Sequence, residues 1–400
     1  MPTVDEILDQ IQLRGVEAAL EYTKRFDGIM LTTEEIVFDP TTATAPKLPP
    51  EEVSALSFAR DNICRFHEAT RPQDVTITPQ PGITLGERYV PLGRVGIYVP
   101  NGGYPLVSSL LMQVIPAQVA GVKDIVVAIA PKDGLALDSR WLFALQMLGV
   151  RQVLRLGGAQ AVASMAYGLK GFPPVDMITG PGNRFVTEAK QEVFRRGLCG
   201  IDLIAGPSEV LVIISDPSLA ENAAYDLLAQ AEHADDAKGI MVTWRPEVKS
   251  AVETIVAQET RRYEKPLGQI ELHLVDSPIQ AVSLANRVAP EHLGLMGDEA
   301  EALENQIRTA GALFVGPYSG QALGDYTAGP SHVLPTGGSG RFLSGLTTRT
   351  FMRRMSVIHT TDDLPENYLV HTQKLAHLEG LHYHEKSMRV RHYAREDNPS

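Results

Sequence analysis

Apolar residues recur at helical spacing from the start of the chain: Ile7, Leu8 and Ile11, then Ala19 and Leu20, ending at Asp27-Gly28. This predicts helix over 4–26. A second helix is expected over about 50–70, followed by a Pro-rich connection through Pro72, Pro79 and Pro81. Beyond it, short apolar runs alternate with helical stretches. Runs at 95–99, 124–129, 152–156 and 175–179 form one set, and runs at 209–215, 239–243, 270–275 and 312–315 form another. Helices are expected over 183–196, 217–234, 246–258 and 299–309, and the segment after Thr347 reads as mostly helical. Runs this apolar suit strands buried on both faces of a parallel sheet. The fold class is therefore α/β, with two Rossmann-like open parallel-sheet domains and a small helical C-terminal tail domain.

Composition narrows the function. Of 400 residues, 44% are hydrophobic and 21% charged, as in a folded, water-soluble protein. Lys plus Arg number 36 against 48 for Asp plus Glu, a net charge of −12 with no basic run, which argues against nucleic acid. The most apolar stretch, 105–122, is broken by Ser108, Ser109, Gln113 and Pro116 and falls short of the roughly 20 residues of a membrane span. The N-terminus does not read as a signal peptide. Cys64 and Cys199 alone exclude a disulfide scaffold or thiolate zinc finger and suit a reducing cytoplasm. Neither has a neighbouring His or glycine-rich oxyanion site, so both read as buried small hydrophobes rather than nucleophiles.

Ligands in open α/β sheets sit at the carboxyl ends of strands. Five loops rich in Gly, Pro and polar residues are expected at equivalent ends, lining one cleft: Tyr98 to Gly103, Gly157 to Gln160, Gly180 to Asn183, Ala205 to Ser208 and Gly324 to His332. None is a standard glycine fingerprint; Phe185 stands where a third glycine would follow Gly180 and Gly182. Asn183 is either an anion-facing amide at a helix start or a plain N-cap. Gln230 and His233, three apart on a helix, share a face that offers donors to one metal ion or simply faces solvent. Glu291 and His292 juxtapose a carboxylate and an imidazole, as stepwise proton transfer requires, or form a surface pair. Asp325 is a candidate hard-oxygen ligand or an Asx-turn residue. Six of the eleven histidines, His384 among them, fall in the last 42 residues, where exposure is the ordinary expectation.

Taken in order, these motifs resemble the histidinol dehydrogenase family over nearly the whole chain. They are the runs beginning at Leu92, Leu156, Gly180, Gly206, Gln230, Ala289, Gly324 and Ser331, with Glu379-Gly-Leu-His-Tyr-His384 at the end. The resemblance implies a zinc-dependent oxidation of an amino-alcohol to a carboxylate through an aldehyde, in two steps, each reducing one NAD. It implies Gln230, His233, Asp325 and His384 as Zn2+ ligands, His292 as the base for the alcohol proton and Glu291 as the base for the attacking water. Tyr98, Gln160 and Asn183 match NAD-contacting positions. Ser208, His332 and Glu379 match substrate-contacting ones, and the zinc ligands and His292 also touch substrate. Residues 1–97 with 210–346 are then expected as one domain with the catalytic loops, 98–209 as the NAD-binding domain, and 347–400 as a tail for homodimerisation. In the family, the tail completes the partner's site.

Four residues depart from the family pattern: Asn101 and Tyr104 in the cleft loop, Ala234 for an acid, and Glu87 for a Gln; the usual N-terminal extension is also missing or short. Relatives with the same machinery oxidise other small polar primary alcohols, including a sulfonated propanediol, and Asn101 and Tyr104 are positions that would reshape the pocket that way. A catalytically silent metal- or nucleotide-binding protein would have lost a proton-transfer residue, yet Glu291 and His292 are both present.

Overall fold

Alternate residues of each apolar run pack on opposite faces of a sheet, which is why these runs carry so few polar positions. The computed structural model describes residues 2–101, 105–132, 137–204 and 206–396, with 392–396 as backbone. Tyr104 and Ala205 lie outside them. The chain divides into two units, residues 1–71 with 92–351, and residues 72–91 with 352–400.

The first unit holds two sheets. One comprises β1 (Val37–Phe38), β4 (Arg94–Val99), β5 (Asp124–Ile129), β6 (Gln152–Leu154), β7 (Met177–Thr179) and β8 (Gly200–Ile201), in the order β1-β6-β5-β4-β7-β8. All its pairings are parallel except β1 with β6. The other is wholly parallel: β9 (Glu209–Ile214), β10 (Lys238–Thr243), β11 (Gln269–Leu274), β12 (His292–Met296) and β13 (Ala312–Val315), in the order β11-β10-β9-β12-β13.

In the first sheet, Val126, Ala128 and Leu154 face the helices Val4–Arg14, Gly158–Tyr167 and Arg184–Arg195. Ile97, Val127 and Ile129 face Pro50–Ala69, Val107–Ala120 and Ser139–Met147. In the second sheet, Val210 and Val212 pack on one face and Leu211 and Ile213 on the other. Each such valine, leucine or isoleucine, fully buried, contributes about 1.5–3 kcal/mol.

The packing revises the expected grouping. Strand β4 lies between β5 and β7, so a boundary at 97/98 would cut a central strand. The N-terminal helices pack on the sheet whose parallel strands lie within 92–201, and 1–71 with 92–351 form one unit, which includes 210–346. The helix expected over 4–26 is interrupted by Gly15, whose φ is +55°; the one expected over 299–309 reduces to Asp298–Glu301 and a 3-10 turn at Glu304–Gln306. The helix Pro278–Val288 was not anticipated.

The second unit contains β2 (Val75–Gln80), β3 (Ile83–Pro91) and β14 (Met352–Thr360), an antiparallel sheet in the order β14-β3-β2. The expected Pro-rich connection and the start of the expected helical tail are therefore strands. The helices Glu366–Leu378 and His382–Glu396 complete the unit.

A buried ion pair holds one of the glycine loops. Lys190 and Asp202 pair with side chains 3% and 1% exposed; the Lys190 ammonium also donates to the Gly180 carbonyl, and Asp202 accepts the Gly180 N–H. Gly180 has φ +113°, and a Cβ there would meet the Tyr98 carbonyl oxygen at 2.0 Å, so only glycine fits. Lys190→Met would strand the buried Asp202 carboxylate, and a loss of about 3–5 kcal/mol is expected in urea unfolding. A midpoint equal to the parent's would show that the pair does not hold the loop.

Candidate active site

Among the described residues, the chain passes from β8 to β9 with no helix between them. It therefore leaves the carboxyl end of the first sheet and enters the second at an amino end. The cleft lies where the carboxyl ends of β4 and β7 approach the amino ends of β9 and β12. The expectation of five loops at equivalent strand ends is corrected accordingly: Pro100 and Pro181 to Asn183 come from carboxyl ends, and Ser208, Glu291 and His292 from amino ends.

A cavity of about 930 Å³ collects Asn183, Ser208, Gln230, His233, Glu291, His292, Asp325 and His332, eight of the predicted site residues. The helix Ala220–Ala231 supplies Gln230 and, just past its end, His233. Gln230 is 1% exposed, and its Nε2 has no hydrogen-bond partner among the described residues. His233 places Nδ1 2.8 Å from the Ala229 carbonyl oxygen, so Nδ1 carries the proton and Nε2 the lone pair. Among the described residues, no three His, Cys, Asp or Glu side chains converge as a metal cluster.

His292 opens β12 and Glu291 immediately precedes it, 4% and 7% exposed. The chain reaches them through Ala289, which caps the helix Pro278–Val288 in the left-handed region at φ +49°. For a non-glycine residue that conformation costs about 1–2 kcal/mol, and strain of this kind gathers at functional sites. The Glu209 N–H donates to Glu291 Oε2 at 3.1 Å. His292 Nδ1 is 3.4 Å from the Glu209 carbonyl oxygen and 3.7 Å from Glu291 Oε2, and its Nε2 is 3.5 Å from Asp325 Oδ1.

Burial pushes the Glu291 carboxyl up to about 7, although the neighbouring imidazole pulls the other way. For His292, burial opposes the charged ring, but Asp325 and Glu291 outweigh it and the net shift is upward. Asp325 moves down: burial opposes its charge, and His292 beside it prevails. His332 is held by both ring nitrogens, Nδ1 at 2.9 Å from the Asp325 carbonyl oxygen and Nε2 at 3.3 Å from Ser109 Oγ. The carbonyl can only accept, so Nδ1 bears the proton and Ser109 donates to Nε2. Burial lowers the His332 pKa, in keeping with this neutral ring.

Tyr98 and Gln160 form a separate cluster. The Gly158 N–H donates to the Tyr98 hydroxyl at 3.1 Å, and Gln160 Nε2 is 3.3 Å from Asp27 Oδ2. Asn183 is an N-cap as well as a cavity residue, its Oδ1 accepting from the Phe185 and Val186 N–H groups. Asn101 turns its amide to the Ala130 carbonyl at 2.8 Å. Glu379 and His384 lie in the second unit, exposed, and line a groove of about 490 Å³ between its two helices.

Two carboxylates went unanticipated. Asp226 lies on the face that carries Gln230 and His233, at i and i+4 to i+7 spacing, and burial raises it to about 6. Glu209 opens β9, 8% exposed; an acid heading an otherwise unbroken apolar run was its signal in the sequence.

A buried carboxyl near neutrality, an imidazole against it and uncommitted donors across the cavity define an α/β enzyme that moves protons on a small polar substrate. The sequence model described as histidinol dehydrogenase matches residues 1–392. The histidinol dehydrogenases of Heliobacterium mobile and Rhodopirellula baltica are 44% and 40% identical, each over 97% of this chain and over 92% and 86% of their own lengths. The crystal structure of histidinol dehydrogenase from Elizabethkingia anophelis superposes with a TM-score of 0.90 at 31% identity, covering 98% of this chain and 92% of that one. A betaine aldehyde dehydrogenase from Staphylococcus aureus shares the fold, with a TM-score of 0.55 at 12% identity over 92% of this chain and 86% of its own. The chain belongs to the histidinol dehydrogenase family.

Proposed function

We propose that this chain oxidises L-histidinol through histidinaldehyde to L-histidine with NAD as acceptor, the last steps of histidine biosynthesis. The observation that carries the reading is the buried Glu291–His292 pair beside Asp325. His292 removes the hydroxyl proton from the alcohol in the first oxidation. Glu291 takes a proton from the water that adds to the aldehyde carbon, giving the hydrate that the second oxidation converts to the acid.

The donor set fits zinc: an amide, imidazoles and a carboxylate, with His233 Nδ1 turned to a backbone carbonyl as metal-binding histidines usually are. Gln230, His233 and Asp325 would hold Zn2+ together with His384, which a partner copy contributes in the homodimer this reading implies. Bound zinc supplies a Lewis acid that anchors the substrate's polar atoms, and NAD supplies the hydride acceptor for both steps. Ser208, His332 and Glu379 contact the substrate, with Glu379 again from the partner. The orders β6-β5-β4-β7-β8 among the parallel strands of the first sheet and β11-β10-β9-β12-β13 in the second support a Rossmann-like reading of both, in which the first takes NAD at its carboxyl end, with Tyr98, Gln160 and Asn183 as contacts. Among the described residues no helix is long and apolar enough to cross a membrane, and the cytoplasm is the compartment this reading implies.

The test is NADH yield from zinc-loaded protein with L-histidinol and, in parallel, a panel of small polar diols. The expected result is two NADH per histidinol, with histidine as the product. Turnover of a diol without turnover of histidinol would overturn the substrate assignment. Chelation is expected to abolish turnover while the melting midpoint falls by only a few degrees; unfolding on chelation would make the metal structural rather than catalytic.

A further inference from the structure

We infer that Glu209 is a positioning residue for the proton-transfer pair, its carboxylate clamping the turn at 336–338 so that its own backbone holds Glu291 and His292. The inference rests on the roles proposed for those two residues.

Strand β9 pairs with β12 in parallel, with His292 opposite Val210, so Glu209 stands beside Glu291 at the cleft edge of the sheet. Three groups of this one residue are engaged. Its N–H donates to Glu291 Oε2 at 3.1 Å, its carbonyl oxygen lies 3.4 Å from His292 Nδ1, and its Oε1 accepts the Gly337 N–H. The first bond orients the carboxylate. The second directs the Nδ1 proton to the backbone, since a carbonyl can only accept, and turns Nε2 toward Asp325 and the cavity, where it serves as base once its proton has left.

The backbone groups do their work only while the start of β9 stays in place. The ladder to β10 reaches Glu209, with the Ser208 carbonyl accepting the Lys238 N–H at 3.0 Å, whereas the ladder to β12 begins only at Val210, so strand pairing secures residue 209 on the β10 side alone. The side chain supplies the other hold. Its carboxylate reaches across to residues 336–338, and the Thr336 hydroxyl accepts the Gly206 N–H at 2.5 Å, tying the same turn to the segment before β9. Residue 209 is thus held from both sides, directly ahead of the pair whose atoms it fixes. A charge-assisted clamp of this kind is stronger than a neutral one. Misplacement of a reacting group by about 1 Å can cost two orders of magnitude in rate.

The test compares wild type, Glu209→Ala, Glu209→Gln and Glu291→Gln as zinc-loaded full-length proteins, measuring kcat, KM for NAD and the melting midpoint. Glu209→Ala is expected to lower kcat by about tenfold or more, with KM for NAD changed less than about twofold. Glu209→Gln keeps an acceptor for Gly337 and is expected to recover part of that loss, at a melting midpoint near the parent's. A Glu209→Ala enzyme with parental kcat would overturn the inference. So would equal losses in both variants accompanied by equal drops in melting midpoint, which would make Glu209 a residue of the fold alone. Glu291→Gln separates the two levels: if it turns over aldehyde like wild type, the proposed roles fail first, whatever the Glu209 variants do.

Discussion

Glu291→Gln is expected to leave alcohol oxidation within a few-fold of wild type and to slow aldehyde oxidation by about two to four orders of magnitude. The amide keeps the shape and an acceptor for the Glu209 N–H but cannot take a proton from water. Stopped-flow assays started from histidinol and from histidinaldehyde separate the two steps; loss of the first with the second intact would reverse the assignment. The same substitution has a pH signature. With its carboxyl raised to about 7, Glu291 holds its proton more tightly in the folded chain than in the unfolded one. The stability from the neutral carboxyl is present below about pH 4.5 and lost as pH rises through about 7, up to about 3 kcal/mol. Glu291→Gln should therefore raise the melting midpoint at pH 8 and leave it unchanged at pH 4. In wild type, aldehyde oxidation should climb between pH 6 and 8 as the carboxyl ionises.

His292→Asn is expected to slow alcohol oxidation by about two to four orders of magnitude, because asparagine has no basic lone pair for the hydroxyl proton. The ring's raised pKa, set by Asp325 and Glu291 against burial, means the base must first lose a proton. Residual alcohol turnover should then lose the part of its pH dependence that belongs to this ring. A His292→Asn enzyme that oxidises histidinol at the parental rate but stalls on the aldehyde would overturn the role. Measuring burst amplitude as well as steady-state rate distinguishes a slow chemical step from slow product release.

The strands that cross the two parallel sheets were legible because burial on both faces leaves an unbroken apolar signature, as in Glu209–Ile214, where every residue is buried. The antiparallel sheet was not. Every residue of Val75–Gln80 is exposed, and most of Met352–Thr360 is too, so neither carries that signature. The acid-rich stretch after 299 had helical spacing but breaks after one turn. At the site, the residue pattern marked Glu291, His292, Gln230, His233 and Asp325 as candidates with bland alternatives beside them, the family resemblance implied their roles, and the fold gathers all five around one cavity. The direction of approach was hidden, because it depends on the helix-free passage between β8 and β9 rather than on any local pattern. Glu209 was overlooked for a related reason: its contribution runs largely through its backbone, which every residue has.

That helix-free passage also leaves one rim of the molecule spare. Doubly wound enzymes ordinarily keep their chemistry at the carboxyl edge, and elaborations there tend to disturb it. Here the second sheet faces its chemistry from the amino edge, so the turns after Ile214, Thr243 and Met296 sit a strand's length away. Those turns are where this scaffold can lengthen, acquire an extra module or carry an engineered tag while the reaction proceeds undisturbed.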